Sequence, residues 1–154
     1  MSTNSRIGKL LPDGTIKQIY CHYDGYVEGG VGETLVNHYS KVEDVNELLK
    51  LGDISVLTGE LFPSGDHSFD KPESGITIAY GRDRGEKNVD AKIVSLDEWY
   101  SAFYSSGIEF YYLFEGKNWW VKAWYSDDTE WKLVASYLPT HAHSLTAEDY
   151  SVII

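Results

Sequence analysis

RIGKLLPDGTIKQIYCHY, residues 6–23, has the pattern of a β-hairpin. Two apolar runs flank Pro12-Asp13-Gly14, where proline fixes φ and glycine supplies a positive φ, so the triplet predicts a tight turn. Side chains alternate between the two faces of a strand, and we therefore expect Cys21 and His22 to point in opposite directions. That alternation argues against a metal site built from these two residues.

Three helices are predicted after the hairpin. A glycine-rich segment leads into residues 32–39. SKVEDVNELLKLG (residues 40–52) and SLDEWYSAFYSSG (residues 95–107) each begin with the Ser-x-x-Glu pattern of a capping box and end at a glycine. The apolar stripe of the segment 40–52 predicts an amphipathic helix that packs on a sheet.

The remaining strands are predicted from short apolar and aromatic runs. ITIAY (76–80) and AKIV (91–94) flank a charged turn. IEFYYLF (108–114), WWVKAWY (119–125) and EWKLVASYL (130–138) are separated by short polar turns. This spacing predicts an antiparallel meander with an aromatic core.

Together these elements predict an α+β fold in one domain that spans residues 1–154. We expect a mainly antiparallel sheet of about five to seven strands, built from the N-terminal hairpin and the C-terminal aromatic meander. Two or three helices are expected to pack on one face of it. Residues 58–75 predict a long loop, and residues 139–154 predict a less ordered tail.

The charge of the chain limits its partners. It carries 24 acidic and 13 basic side chains, for a net charge of −11. Such a surface repels nucleic acid and anionic membranes, so we expect no direct binding to either. It attracts a basic protein surface, although acidity can also serve solubility alone. We assign the acids of one meander turn, Asp127, Asp128 and Glu130, to a partner-binding surface.

Composition favours a cytoplasmic protein. Cys21 is the only cysteine in the sequence, which favours a reducing compartment. No stretch approaches the roughly 18 apolar residues of a membrane span, and MSTNSRIGKL lacks the apolar run of a signal peptide. We expect no cofactor and no metal, because His141 and His143 have no third ligand in their pattern.

The glycine-rich stretch GYVEGGVGETL, residues 25–35, has the layout of a phosphate-binding loop between a strand and a helix. It lacks the Lys-Ser/Thr pair of a P-loop and the spacing of the dinucleotide motif, and Glu28 would repel phosphate. The stretch therefore predicts a turn that enters a helix.

Four residues near the end of the second strand are candidates for ligand binding. The carboxylate of Asp24 would fix the tautomer of His22, and Tyr20 or Tyr26 would stack on a base. Ligand sites gather at strand ends and loops, which supports this interpretation. Structural hydrogen bonding is the alternative.

Arg82 and Arg84 leave another strand end in the segment YGRDRGE, in a chain with three arginines. Guanidinium groups suit phosphate or carboxylate. The alternative is a pair of ion pairs with Asp83 and Glu86. If the two arginines met His22 and Asp24 across the sheet, the four residues would form a small anion site.

Several stretches resemble a family of small proteins of unassigned function found in tailed-phage and prophage genomes. They are STNSRIGKLLPDGTIKQIYCHYDGY, G..L..HY, V..L..LGDIS.L and YGRDRGE. That family often has His-Trp-Asp-Gly-Tyr where this chain has His22-Tyr23-Asp24-Gly25-Tyr26. The resemblance covers about the first 90 residues and implies a phage accessory protein in an infected bacterium. It implies no catalytic residue.

Two functions follow as hypotheses. The first is binding and inhibition of a host defence or nucleic-acid-handling protein through the acidic surface. The second is sequestration or hydrolysis of a small anionic ligand such as a signalling nucleotide, with His22 as the proton-transfer group. The absence of a nucleophile motif favours binding over catalysis. A minor virion component is a third option, and an exposed aromatic face on the meander would favour a homodimer.

Overall fold

A computed structural model describes residues 2–103, 107–123 and 131–142, which form an eight-stranded sheet with helices. The strands are β1 Ser5–Leu10, β2 Ile16–Cys21, β3 Ile54–Val56, β4 Ile78–Ala79, β5 Lys92–Val94, β6 Phe110–Phe114, β7 Trp119–Ala123 and β8 Lys132–Leu133. The helices are α1 Val31–His38, α2 Val42–Lys50, α3 Tyr80–Arg84, α4 Leu96–Phe103 and α5 Pro139–Ala142, with a 3₁₀ helix at Val134–Tyr137. The predicted α+β class is confirmed.

The hairpin of β1 and β2 lies in the middle of the sheet. The strand order is β4-β3-β2-β1-β6-β7-β8, and β5 pairs with β2. The predicted turn forms: Leu11 N–H donates to Thr15 O at 2.8 Å, and Gly14 has a φ of 88°. Most pairs are antiparallel, but β1–β6 and β2–β3 are parallel. The hairpin therefore joins both halves of the sheet.

One face of the sheet is covered by α1 and α2. Ile7 and Ile19 on the hairpin and Tyr112 on β6 belong to one buried cluster with Leu35 of α1 and Leu48 of α2. These strand residues alternate with residues that face the other way. The prediction of two or three helices on one face is therefore met by α1 and α2.

The other face is covered by Trp99 of α4, which the prediction did not anticipate. Trp99 packs with Ile16, Tyr111 and Leu113 in a second buried cluster. All five residues of β6 are buried, so this strand needs a cover on both sides. The position of α4 opposite α1 and α2 follows from that requirement.

The two predicted capping boxes have different outcomes. Ser95 and Glu98 exchange the expected bonds, with Glu98 N–H donating to Ser95 Oγ at 3.0 Å and Ser95 N–H to Glu98 Oε1 at 3.4 Å. The box predicted at Ser40 and Glu43 is absent. The N-cap of α2 is Lys41, without a side-chain cap bond, so the helix begins one residue too late for Ser40 to cap it.

Three further segments differ from the prediction. The charged turn after β4 is the one-turn helix α3, which ends at Gly85 in the left-handed conformation. The third meander strand is only two residues long, because the chain turns into the 3₁₀ helix at Val134. β3 was not predicted as a strand. Of the predicted tail, α5 is helical and residues 143–154 lie outside the described part.

The aromatic residues of β6 and β7 are core residues. Phe110–Phe114 and the first four residues of β7 are buried, so these two strands present no exposed aromatic face. Tyr137, in the 3₁₀ helix that follows β8, is 51% exposed, and the homodimer stays a prediction. Among the described helices, none has the length and apolar character needed to cross a membrane.

Candidate functional site

The candidate ligand residues near the end of β2 form two hydrogen-bonded pairs. Tyr20 Oη lies 2.7 Å from His22 Nδ1, because both side chains project from the same face of the strand. Tyr26 Oη donates to Asp24 Oδ1 at 2.9 Å, and Asp24 has a positive φ of 57° in the turn. Nδ1 of His22 thus pairs with the Tyr20 hydroxyl, in which either group can be the donor, whereas the carboxylate of Asp24 bonds Tyr26 rather than His22.

Tyr80 lies near Tyr20, and its ring contacts the Arg84 guanidinium. Burial raises the pKa of Tyr20, and the nearby Tyr80 phenol raises it further. The Arg84 guanidinium lies 4.9 Å from the Tyr80 ring centre and 4.3 Å from that of Phe69. It also forms an ion pair with Glu86 at 2.6 Å. Three of the predicted site residues therefore lie in one polar and aromatic cluster.

Arg82 has a different environment from Arg84. Its Nη1 donates to Leu61 O at 2.5 Å and its Nη2 to Thr77 O at 2.8 Å. Its Nε donates to Asp83 Oδ1 at 2.7 Å. All three guanidinium nitrogens therefore donate hydrogen bonds within the protein. The bond to Asp83 is the ion pair that the alternative predicts, and the bonds to Leu61 O and Thr77 O hold both ends of the loop before β4.

That loop is organised around a buried pair that the sequence did not reveal. The side chains of His67 and Asp83 are only 1% and 2% exposed. His67 Nδ1 accepts the Glu73 N–H at 2.9 Å. The proton of the neutral imidazole is then on Nε2, which lies 3.0 Å from Asp83 Oδ2 in a contact that is electrostatic rather than a well-aligned hydrogen bond.

The His67–Asp83 pair resembles part of a catalytic triad but has no free nitrogen. One imidazole nitrogen faces a backbone N–H and the other faces the carboxylate. Neither can accept a proton from a substrate. The pair therefore has a structural function, and the loop 58–75 is held by it.

A second feature is an acidic cleft between α1, α2 and the segment Gly59–Phe62. Its volume is about 210 Å³, and it is lined by His38, Tyr39, Asp44, Glu47, Gly59, Glu60, Leu61 and Phe62. Tyr39 Oη donates to Thr58 O at 2.7 Å and so fixes this segment against α1. Phe62 is 58% exposed at the cleft. Three carboxylates and an exposed aromatic ring thus share one concave surface.

Sequence reasoning missed this cleft for a clear reason. Asp44 and Glu47 are three residues apart on the polar side of α2, a spacing that places them together on a helix. Glu60 comes from a loop, and its approach to α2 depends on the tertiary fold. The local sequence therefore shows the Asp44–Glu47 pair on the helix but not the approach of Glu60.

In the part of the chain that the structure describes, the candidate nucleophile and metal ligands do not form a reactive or metal-binding site. Cys21 is fully buried, which raises the pKa of its thiol to about 12 and leaves it unreactive. His141 Nε2 lies 2.8 Å from Asn37 Oδ1. Within the described ranges, no three His, Cys, Asp or Glu side chains converge as metal ligands. Asp127, Asp128, Glu130 and His143 lie outside those ranges.

Comparison of the chain with protein-family models, with curated proteins and with solved structures finds no match.

Proposed function

We propose that the chain is a phage-encoded accessory protein that acts by binding. Its target is a basic surface on a host protein, of the kind that handles nucleic acid or takes part in defence, and the binding inhibits that protein. The net charge of −11 supports this proposal, and the observation that carries it is the acidic cleft beside α2.

The cleft suits a cationic side chain. Asp44, Glu47 and Glu60 line it, and no lysine or arginine is among its lining residues. Lys50 pairs with Glu47 at 3.1 Å, but both side chains are exposed, so this ion pair is weak and easily exchanged. A guanidinium group that entered the cleft would meet carboxylates on two sides.

Phe62 adds an apolar contact to this charge. Its exposed ring can pack on the aliphatic part of an arginine or lysine side chain and attract the cation at its face. An aromatic anchor next to complementary charge is the usual composition of an interface hot spot. The proposed partner therefore inserts an arginine or lysine side chain from a basic surface of the kind that binds nucleic acid.

Neutralising the cleft is expected to weaken partner binding. The variant Asp44→Asn/Glu47→Gln/Glu60→Gln removes three carboxylates and should weaken binding at least tenfold, which is about 1.4 kcal/mol. The measurement is capture of a partner from bacterial lysate, followed by calorimetric titration and an activity assay on the captured protein.

A matched control removes the same charge elsewhere. Glu28→Gln/Asp70→Asn/Asp97→Asn neutralises three exposed carboxylates that do not line the cleft. We expect this control to bind and inhibit like the wild type. Equal binding by all three proteins, or binding that 0.5 M salt leaves unchanged, would argue against the proposal, since charge pairing at an exposed surface is screened by salt.

Capture of a small anionic ligand is the second candidate function. The Tyr20–His22 pair favours it, because the Tyr20 hydroxyl occupies Nδ1 of the imidazole and leaves Nε2 for a ligand. Arg82 cannot contribute, since its nitrogens bind the protein. Arg84 forms only an exposed ion pair with Glu86, which a ligand can exchange, so it is the cation that this candidate requires.

A further inference from the structure

The Arg84 guanidinium packs against two aromatic rings that also contact each other. Its Cζ atom lies 4.3 Å from the centre of the Phe69 ring and 4.9 Å from that of the Tyr80 ring, and the two ring centres are 5.7 Å apart. The three groups form a triangle, so the guanidinium lies beside both rings rather than between them. The Arg84 side chain is 45% exposed, and a ligand therefore has access to it.

The backbone around the two rings is held in place. The Phe69 N–H donates to Asp83 O at 3.0 Å, which ties the loop to α3, the helix that begins at Tyr80. The buried contact between His67 and Asp83 fixes the chain two residues before Phe69. Because the rings restrict a side chain that otherwise has many rotamers, Arg84 loses little further conformational entropy when it binds a ligand.

In the described part of the chain, the carboxylate that pairs with Arg84 is that of Glu86, and it fits the guanidinium incompletely. Arg84 Nε and Nη2 donate to the same oxygen, Glu86 Oε2, at 3.1 and 2.6 Å. Two donors on one edge of a guanidinium match two oxygens of an oxyanion. The Glu86 side chain is 39% exposed, so the ion pair is easily exchanged. A ligand that offers two oxygens to this edge fits it better than Glu86 does.

The charge of the segment around Arg84 is opposite in sign to that of the whole chain. Residues 80–89 carry three basic and two acidic side chains, whereas the whole chain carries 13 and 24. Lys87, the next basic residue after Arg84, is exposed. The segment therefore attracts an anion despite the net charge of −11, because exposed charges more than about 10 Å away are largely screened at physiological salt.

We propose that Arg84, held by Phe69 and Tyr80, binds the phosphoryl group of a small ligand and that this group displaces Glu86. A carboxylate from solution has the same charge as Glu86, which is two residues away in the chain and therefore always present at a high local concentration. A phosphoryl group carries about −1.5 to −2 charges near neutral pH, so it displaces Glu86 where a carboxylate does not. The inference rests on the second candidate function and adds to it the chemical class of the ligand, the two rings and the competition by Glu86.

The test observes the arginine side chains directly. A ¹H–¹⁵N spectrum of the full chain has three arginine Nε signals, which the single variants Arg6→Lys, Arg82→Lys and Arg84→Lys assign. Titration with inorganic phosphate at constant ionic strength is expected to shift the Arg84 signal saturably and to leave the Arg82 signal in place. Acetate at the same ionic strength should shift the Arg84 signal much less. A parallel titration with adenosine monophosphate distinguishes a nucleotide, which would bind more tightly than phosphate, from free phosphate.

Two variants test the parts of the site separately. Glu86→Gln removes the competing carboxylate and should tighten phosphate binding about threefold, because no ion pair has to be exchanged. Phe69→Leu removes a ring that restricts Arg84 and should weaken phosphate binding about threefold. The control Glu28→Gln removes the same charge from a residue that does not pair with Arg84, and it should leave phosphate binding unchanged.

The other outcomes contradict the inference, and some also contradict the function on which it rests. An equal shift of the Arg84 signal by acetate would overturn the phosphoryl assignment but leave the second candidate function standing, since acetate is also a small anion. Equal phosphate affinity of the wild type and Glu86→Gln would contradict the displacement of Glu86. No saturable shift of Arg84 with phosphate or adenosine monophosphate would overturn the inference. A shift of the His22 imidazole signals by the nucleotide would then retain the second candidate function, and unchanged His22 signals would overturn that function as well. Partner binding at the acidic cleft is independent of all these outcomes, because the two surfaces share no residue.

Discussion

Replacing Asp83 with alanine is expected to lower the free energy of unfolding by about 3–5 kcal/mol, because the buried carboxylate that pairs with the Arg82 guanidinium is lost. The carboxylate accepts the Ala79 N–H at 2.7 Å and Arg82 Nε at 2.7 Å, and it faces His67 at 3.0 Å. Its removal leaves buried donors without an acceptor. Urea denaturation followed by tryptophan fluorescence measures the loss as a lower midpoint.

The matched control is Glu86→Ala, which removes the neighbouring acid of the same segment. The Glu86 and Arg84 side chains are 39% and 45% exposed, so we expect a loss below about 1 kcal/mol. A loss this small for Asp83→Ala as well would contradict the view that Asp83 holds the loop.

The contribution of Asp83 should also depend on pH in a defined direction. Burial alone would raise the pKa of Asp83, but hydrogen bonds from Arg82 and from the Ala79 N–H, together with the nearby His67 imidazole, outweigh it and lower the pKa below its usual value. The stabilisation is therefore complete above the unfolded value and is lost as pH falls through the folded value. The stability difference between the wild type and Asp83→Asn should shrink when urea titrations are repeated below pH 4.

The sequence predicts the parts of this fold that depend on neighbours in the chain. Pro12-Asp13-Gly14 specifies its turn through backbone preferences, and Ser95 with Glu98 specifies a helix start through two local hydrogen bonds. The parallel pairing of β1 with β6 joins residues about a hundred positions apart in the chain. Such a pairing has no local signal, because loop closure and the packing of both faces decide it.

The candidate site divides in the same way. Strand alternation places Tyr20 and His22 on one face, so their contact was within reach of sequence reasoning. Arg82 and Arg84 are two residues apart, yet one binds carbonyls of a distant loop and the other stacks on Phe69. Local sequence shows which residues are charged, whereas the tertiary fold decides which charges are already paired.

Replacing Trp99 with alanine is expected to cost about 3–5 kcal/mol, since a large buried aromatic side chain is lost and a cavity remains. Trp99 is 3% exposed and, together with Leu96 of α4, packs on the second face of the sheet. Its ring stacks near Trp131 at 6.0 Å and meets Tyr111 edge-on. Urea denaturation measures the loss, and Trp99→Phe, which keeps an aromatic ring, should cost less.

A substitution at Gly8 tests whether the cost of Trp99→Ala comes from the specific contact of the ring with β1 or from the loss of buried hydrophobic area in general. A Cβ at Gly8 would lie 2.7 Å from Trp99 Cη2 and 2.6 Å from Ile16 Cγ2, so Gly8→Ala alone should be destabilising. In the Trp99→Ala background the ring is gone and the added methyl group enters the cavity, so the same substitution should cost less, with a coupling of about 0.5–3 kcal/mol. Additive costs in this double-mutant cycle would contradict the contact between Trp99 and Gly8.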